Sequence, residues 1–150
     1  MADTTADVAR VYESGVEPMF NHHELNTGLT IHEGAAVVLS NSTNKAVTFT
    51  TTNSTFAGFS MAKAVQGTDT HVQVRARGII KLTVGDDAGT PDITGLDVGD
   101  QVYASDHGSF TMTAGTNKSI GKVARIEPVD ATAETAVCMV YFEAASLASV

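Results

Sequence analysis

The sequence predicts a mostly β protein, a small antiparallel β-barrel or sandwich formed by residues 28–150 and preceded by an extended N-terminal arm, residues 1–27. Two observations predict this class. Thr, Val and Ala are abundant and Trp is absent, and β-branched side chains favour extended backbone over helix. From Gly28 onward, short apolar runs are separated by turn residues at regular spacing, which is typical of barrels and sandwiches. A chain of 150 residues is long enough to bury one core.

The first 27 residues differ from the rest because they are acidic and sparsely apolar. They hold five carboxylates against Arg10 alone. A segment of this kind cannot form a core of its own and becomes ordered only when it lies on another surface. We therefore expect an arm that is mobile in the free protein and ordered when bound. Its expected contacts with a partner or a second copy are Val8, Val11, Tyr12, Met19 and Phe20.

The clearest strand signal runs over residues 70–84, where apolar and polar side chains alternate. A period of two places the two sets on opposite faces of one long strand or of two strands joined at a corner. Gly78 falls on the apolar face in the middle of this run, and we expect the corner there because a missing side chain permits a bend. The predicted core residues of the body are Val72, Val74, Ile80, Leu82, Val102, Phe110, Ile120 and Val140.

Shorter runs predict the remaining strands. Residues 101–105 and 109–113 flank the turn Asp106-His107-Gly108 and predict a hairpin. Residues 85–100, rich in Gly and Asp, predict a loop. The other predicted strands cover residues 29–31, 35–40, 45–50, 56–62, 119–126 and 135–142.

The last predicted strand is apolar on both faces. An antiparallel strand with one face in water should alternate, but Tyr141 lies between the apolar neighbours Val140 and Phe142. Either this strand is central and covered on both faces, or one face meets another subunit. Tyr141 is therefore a further candidate interface residue.

Charge and hydropathy exclude several partners. The formal net charge of −8 argues against nucleic acid, which is bound through cations placed against phosphates, and against anionic membrane surfaces. No apolar run approaches the length of a membrane-spanning helix, and residues 1–7 have neither the basic start nor the apolar run of a signal peptide. Cys138, the only cysteine, lies in an apolar run, which predicts a core residue.

No pattern of residues predicts catalysis, a metal or a cofactor. Adjacent residues on a strand point to opposite sides, so His22 and His23 are poorly placed to bind one ion together. The acidic loop over residues 85–92 does not match a calcium-binding frame. The sequence also lacks a nucleophile elbow and a phosphate-binding loop. We therefore expect a protein that is not an enzyme.

Several motifs carry a resemblance to a known family. They are the strand Gly34-Ala35-Ala36-Val37-Val38-Leu39, the alternating strand over residues 72–79, the Gly-Asp turn and hairpin within residues 96–111, and Ile120-Gly121-Lys122-Val123. With these motifs, residues 28–142 resemble the capsid cement (decoration) proteins of tailed bacteriophages. The matching positions are glycines and turns rather than catalytic residues.

The resemblance implies a structural virion protein that binds the outer surface of the phage capsid and stabilises the shell. Its partners would be the major capsid protein and neighbouring copies of itself, as a homotrimer. It would be made in the bacterial host cytoplasm and would act on the outer capsid surface. The alternative function is a carbohydrate-binding or adhesin-like virion surface module. Such a module needs exposed aromatic rings, and the chain has three Tyr and no Trp.

Overall fold

The computed structural model describes residues 6–47, 49–51, 54–85, 96–127 and 135–145. Within these ranges the protein is mostly β, as predicted, and has no helix. The strands are β1 (Tyr12–Glu13), β2 (Met19–Glu24), β3 (Thr30–Ile31), β4 (Ala36–Ser40), β5 (Ala46–Val47), β6 (Ser54–Ser60), β7 (Ala64–Val65), β8 (His71–Gly85), β9 (Gln101–Ala104), β10 (Phe110–Thr111), β11 (Lys118–Ile126) and β12 (Thr135–Glu143).

Five strands close into a barrel in the order β8, β12, β11, β9 and β10. Neighbours in this circuit are antiparallel, except that β10 returns to β8 in parallel, with Phe110 beside Val84. This parallel contact closes the ring. The barrel interior holds the larger core cluster, which includes Phe59, Leu82 and Phe142.

β8 is the longest described strand, and its second half belongs to the barrel. Its side chains alternate between buried and more exposed positions over the whole length, as the period of two predicted. The strand runs through Gly78 without a break, so the expected corner does not divide it. Its partners change there on both edges, from β2 to β1 on one edge and from β6 to β12 on the other. A Cβ on Gly78 would lie 2.8 Å from Arg75 Nε, so the glycine makes room for the Arg75 side chain.

The first half of β8 continues into a second layer formed by β6, β4 and β5. β4 and β6 lie between two cores. Ala36 and Val38 pack into the barrel cluster, whereas Ala35 and Val37 pack into a second cluster with Val72 and Val74. A strand covered on both faces is continuously apolar, which explains the run over residues 35–39.

β6 approaches β8 very closely at Gly58. This residue has φ of +124°, and a Cβ would lie 2.1 Å from the carbonyl oxygen of Arg75. The register of β4 against β6 shifts at the same place. Only glycine satisfies both the backbone conformation and the contact.

The extended arm predicted for residues 1–27 is not supported among its described residues. β1 and β2 both pair with β8. Leu25 is 4% exposed and bridges to Ala46 of β5, and Lys45 forms an ion pair of 2.9 Å with Glu24. The prediction was wrong because the apolar residues of this segment find partners far along the chain. Independent folding of residues 28–150 stays a prediction.

The core prediction is confirmed, because all eight predicted core residues are buried. The predicted hairpin forms between β9 and β10, and the strands predicted over residues 119–126 and 135–142 are β11 and β12. The strand predicted over residues 45–50 is shorter, since β5 covers only Ala46–Val47. Most of the predicted loop over residues 85–100 lies outside the described residues.

Candidate interaction surface

The outer wall of the barrel combines apolar and charged side chains in rows that cross several strands. One row places Lys122, Tyr141, Ile79 and Glu13 side by side on β11, β12, β8 and β1. The next row along the strands contains Arg125, Met139 and Lys81. The outward face of β12 is therefore apolar at Met139 and Tyr141, with charged neighbours on both sides.

An ion pair spans this wall. Arg125 Nη1 donates a hydrogen bond of 2.7 Å to Glu13 Oε1, although β12 and β8 lie between their strands. The Glu13 carboxylate raises the pKa of Arg125 through this bond. Met139 lies beside Arg125 in register and is only 4% exposed despite its outward position. The long side chains of Arg125 and Glu13 thus cover part of the apolar face of β12.

The interface residues predicted in the N-terminal segment have two different environments. Val8, Val11 and Phe20 are 39%, 60% and 44% exposed. We call these three residues, which attach to the body at three separate places, the N-terminal apolar surface. Met19 and Tyr12 are half-buried. The N-terminal apolar surface therefore offers side chains that the described part of the chain leaves uncovered.

Tyr12 packs into the body. Its ring lies 6.3 Å from that of Phe142, and it contacts the barrel cluster. Its hydroxyl is buried, and no hydrogen-bond partner lies among the described residues. Burial raises the pKa of Tyr12 to about 12, against an opposing effect of Arg75 and Arg10. Tyr12 anchors β1 to the barrel.

Arg75 connects Tyr12 with the exposed Phe20. Its guanidinium lies 4.3 Å from the centroid of the Tyr12 ring and 5.9 Å from that of Phe20. Cations attract the faces of aromatic rings, and Phe20 is also the register partner of Arg75. The exposed Phe20 side chain is thus held in place by a neighbour on β8.

Sequence reasoning missed Val98, which is 66% exposed. It lies in the turn that leads into β9, next to Gly99 with φ of +96°, and Asp100 Oδ2 accepts a hydrogen bond of 2.8 Å from Asp97 N–H. Polar turn residues surround Val98, so no periodic pattern marks it as an exposed side chain.

An open groove of about 400 Å³ lies beside Tyr141. It crosses β9, β11 and β12, and Gly121 and Ile120 are part of its lining. The side-chain amide of Gln101 donates hydrogen bonds to Ser119 Oγ and to the carbonyl of Gly121. Tyr141 donates a hydrogen bond of 3.2 Å to Glu143 Oε2. Its desolvation, followed by the charge of Glu143, raises the pKa of Tyr141.

The hairpin turn between β9 and β10 has a structural role. Asp106 Oδ1 accepts hydrogen bonds from the N–H groups of Gly108 and Ser109 at 2.9 and 2.8 Å. His107 is buried, and its Nε2 accepts a 2.9 Å hydrogen bond from Phe49 N–H. These contacts tie the turn to the rest of the body and account for the residue types of this motif.

The remaining candidate groups are separate from one another. His22 is exposed and His23 is half-buried on β2, and burial lowers the pKa of His23. Among the described residues, no group of three His, Cys, Asp or Glu side chains could hold a metal ion. Cys138 is fully buried, as predicted, and burial raises the pKa of its thiol to about 11.

Comparison with protein-family models, curated proteins and solved structures finds no match for this chain. Within the described part of the chain, no helix has the length and apolar character needed to cross a membrane.

Proposed function

We propose that this protein is a non-enzymatic structural component of a tailed bacteriophage virion that binds the outer surface of the capsid and stabilises the shell. Its partners are the major capsid protein and neighbouring copies of itself in a homotrimer. The proposal starts from the resemblance of residues 28–142 to capsid cement proteins, whose shared motifs are turns and glycines.

The observation that supports this function best is the N-terminal apolar surface. Val11 and Phe20 are 60% and 44% exposed, although both are attached to β8 by strand pairing or by a backbone hydrogen bond. Apolar side chains that are held in place but left uncovered supply the area that a partner protein would bury. A partner that covers them removes apolar area from water without first having to order the backbone.

A trimer would strengthen the attachment without new contacts in each copy. When three linked copies face equivalent sites on a shell, binding of the first raises the effective concentration of the other two. A weak contact at Val11 and Phe20 is then sufficient for stable occupancy.

Sedimentation with purified phage capsids tests the proposal. The protein should pellet with mature, expanded capsids and stay in the supernatant with unexpanded ones, because the subunit arrangement on the outer surface changes on expansion. Sedimentation velocity of the free protein reports whether the trimer forms before binding. Equal amounts in the pellet with and without mature capsids would contradict the proposed function.

A further inference from the structure

The groove beside Tyr141 has the lining of a small-molecule site. The proposed function does not use this groove. Its volume of about 400 Å³ lies within the range of ligand-binding clefts. It is lined by the Tyr141 ring, by Ile120, Gly121 and Ala145, and by the polar side chains of Gln101, Ser119, Lys122 and Glu143. The groove is therefore apolar in part and polar along its edges.

The polar groups at its edges are already held in position. Gln101 uses its NH₂ group for hydrogen bonds to Ser119 and Gly121, which leaves the oxygen of the same amide as an acceptor. The Ser119 hydroxyl accepts from Gln101 and keeps its own hydrogen for donation. Glu143 accepts a hydrogen bond from the Tyr141 hydroxyl, and this bond holds the Tyr141 ring in position. Groups fixed before binding lose little entropy when a ligand arrives.

We propose that this groove binds a neutral saccharide ring, with the apolar face of the sugar on the Tyr141 ring and its hydroxyl groups on Gln101, Ser119 and Glu143. A sugar ring presents C–H groups on its face and hydroxyl groups around its edge, which matches the mixed lining. This inference goes beyond the proposed function and concerns a separate site.

Two other ligand classes fit the lining less well. An acyl chain would cover the amide of Gln101 and the carboxylate of Glu143 without offering them hydrogen bonds, which is unfavourable. Among the described residues of the lining, a phosphate-bearing ligand would meet Lys122 as the only cation, in the same groove as the carboxylate of Glu143, and it would approach a chain of net charge −8. A neutral saccharide avoids both problems.

Saturation-transfer difference NMR tests the proposal with the intact protein and four separate probes: methyl glucopyranoside, methyl galactopyranoside, methyl mannopyranoside and N-acetylglucosamine. At least one probe should show transfer that is strongest for the C–H protons of one ring face, with a dissociation constant of about 1 mM, as expected for a single ring on an open surface. Glycerol serves as the probe for unspecific polyol contact. No transfer above the glycerol level for any of the four sugars would overturn the proposal.

Substitutions in the groove distinguish the loss of sugar stacking on Tyr141 from a defect in folding. Tyr141→Ala should weaken binding about tenfold, and Tyr141→Phe, which keeps the ring, should stay within about threefold of wild type. Gln101→Ala should also weaken binding, with far-ultraviolet circular dichroism as the check on folding. Unchanged binding in folded Tyr141→Ala protein would overturn the proposal.

The two proposals can fail independently. Gln101 is not a proposed capsid contact, so Gln101→Ala should keep capsid binding while it loses saccharide binding. Phe20→Ser should show the reverse pattern. Loss of both activities in each folded variant would overturn the assignment of the saccharide to a separate site.

Discussion

The rings of Tyr12 and Phe142 lie with their centroids 6.3 Å apart and their planes at 53°. This contact joins the first described strand of the chain to the last one. Tyr12 pairs with Ile80, and Phe142 pairs with Gly78 on the same central strand. Because Gly78 has no side chain, the Arg75 guanidinium lies close to the position that a Cβ would take there, and it also lies over the Tyr12 ring. The N-terminal segment is thus built into the barrel at Tyr12.

Truncation of Tyr12 or Leu25 should destabilise the whole protein. We expect Leu25→Ala, at a fully buried site, to lower the free energy of unfolding by about 3 kcal/mol, and Tyr12→Ala, at a half-buried one, by about 2 kcal/mol. Urea denaturation followed by circular dichroism measures both. Val8→Ala, at an exposed position of the same segment, is the control and should change stability by less than about 0.5 kcal/mol. Changes in the free energy of unfolding near zero for all three variants would indicate that residues 1–27 form a separate arm.

Buried and exposed side chains alternate along β8. Substitutions at two adjacent residues of this strand should therefore change the free energy of unfolding by different amounts. Leu82 is 1% exposed within the barrel, so Leu82→Ala should cost about 2–4 kcal/mol through lost burial and the cavity it leaves. Lys81 points outward, and Lys81→Ala should cost less than about 0.5 kcal/mol. The same denaturation experiment compares them, and equal losses would argue against the barrel interior as described.

Local sequence patterns predict β8, the hairpin of β9 and β10, and the buried strands, because their signals lie within a few neighbouring residues. Period-two alternation at Val72, Val74 and Leu82 fixes a face whatever the strand pairs with. The same patterns do not show which strands meet. Tyr12 and Ile80, or Leu25 and Ala46, are brought together only by tertiary structure, and this is why local patterns alone predict an arm for residues 1–27.

The candidate sites depend even more on long-range contacts. The apolar character of both faces of its strand marks Tyr141 as a candidate interface residue, and that role stays a prediction. The groove beside it needs Gln101 and Ser119 from two other strands, and no spacing in the sequence brings these together. Val98 is exposed because of a turn conformation at Gly99, which a hydropathy pattern does not report.

Gly58 provides a test of the close approach between β6 and β8. Gly58→Ala adds a methyl group 2.1 Å from the Arg75 carbonyl oxygen in addition to the cost of a positive φ, and we expect a loss of about 3 kcal/mol or more. Gly15 has φ of +112°, and no atom lies within 4 Å of the position that a methyl group would take there. Gly15→Ala should therefore show only the backbone cost of about 1–2 kcal/mol. The difference in urea midpoint between the variants measures the contact, and a difference of zero would contradict it.

Alkaline pH should unfold the protein partly through Tyr12. Burial raises the pKa of Tyr12 to about 12 in the folded state, whereas an unfolded tyrosine ionises near pH 10, about the reference value. The unfolded state therefore releases its proton first, and the stability that depends on the neutral phenol is present below about pH 10 and is lost as the pH rises towards 12.

Ultraviolet absorbance of phenolate follows this titration. Tyr12→Phe should remove the tyrosine whose pKa burial raises to about 12, and it should reduce the loss of stability between about pH 10 and 12. Tyr103→Phe, on the outer wall of the barrel, is the matched control. An unchanged alkaline profile in Tyr12→Phe would show that the Tyr12 hydroxyl is not buried as described.

Binding of point variants to mature phage capsids is the most direct test of the central claim, that the N-terminal apolar surface attaches this protein to a shell. A deletion of residues 1–20 would also remove Tyr12 from the core, so substitutions at exposed positions are the cleaner experiment. The double variant Val11→Ser with Phe20→Ser should fold normally and lose at least about tenfold in capsid affinity. Val98→Ser, which removes a still more exposed apolar side chain elsewhere, should bind like wild type. Undiminished occupancy of the double variant on mature capsids would contradict the account.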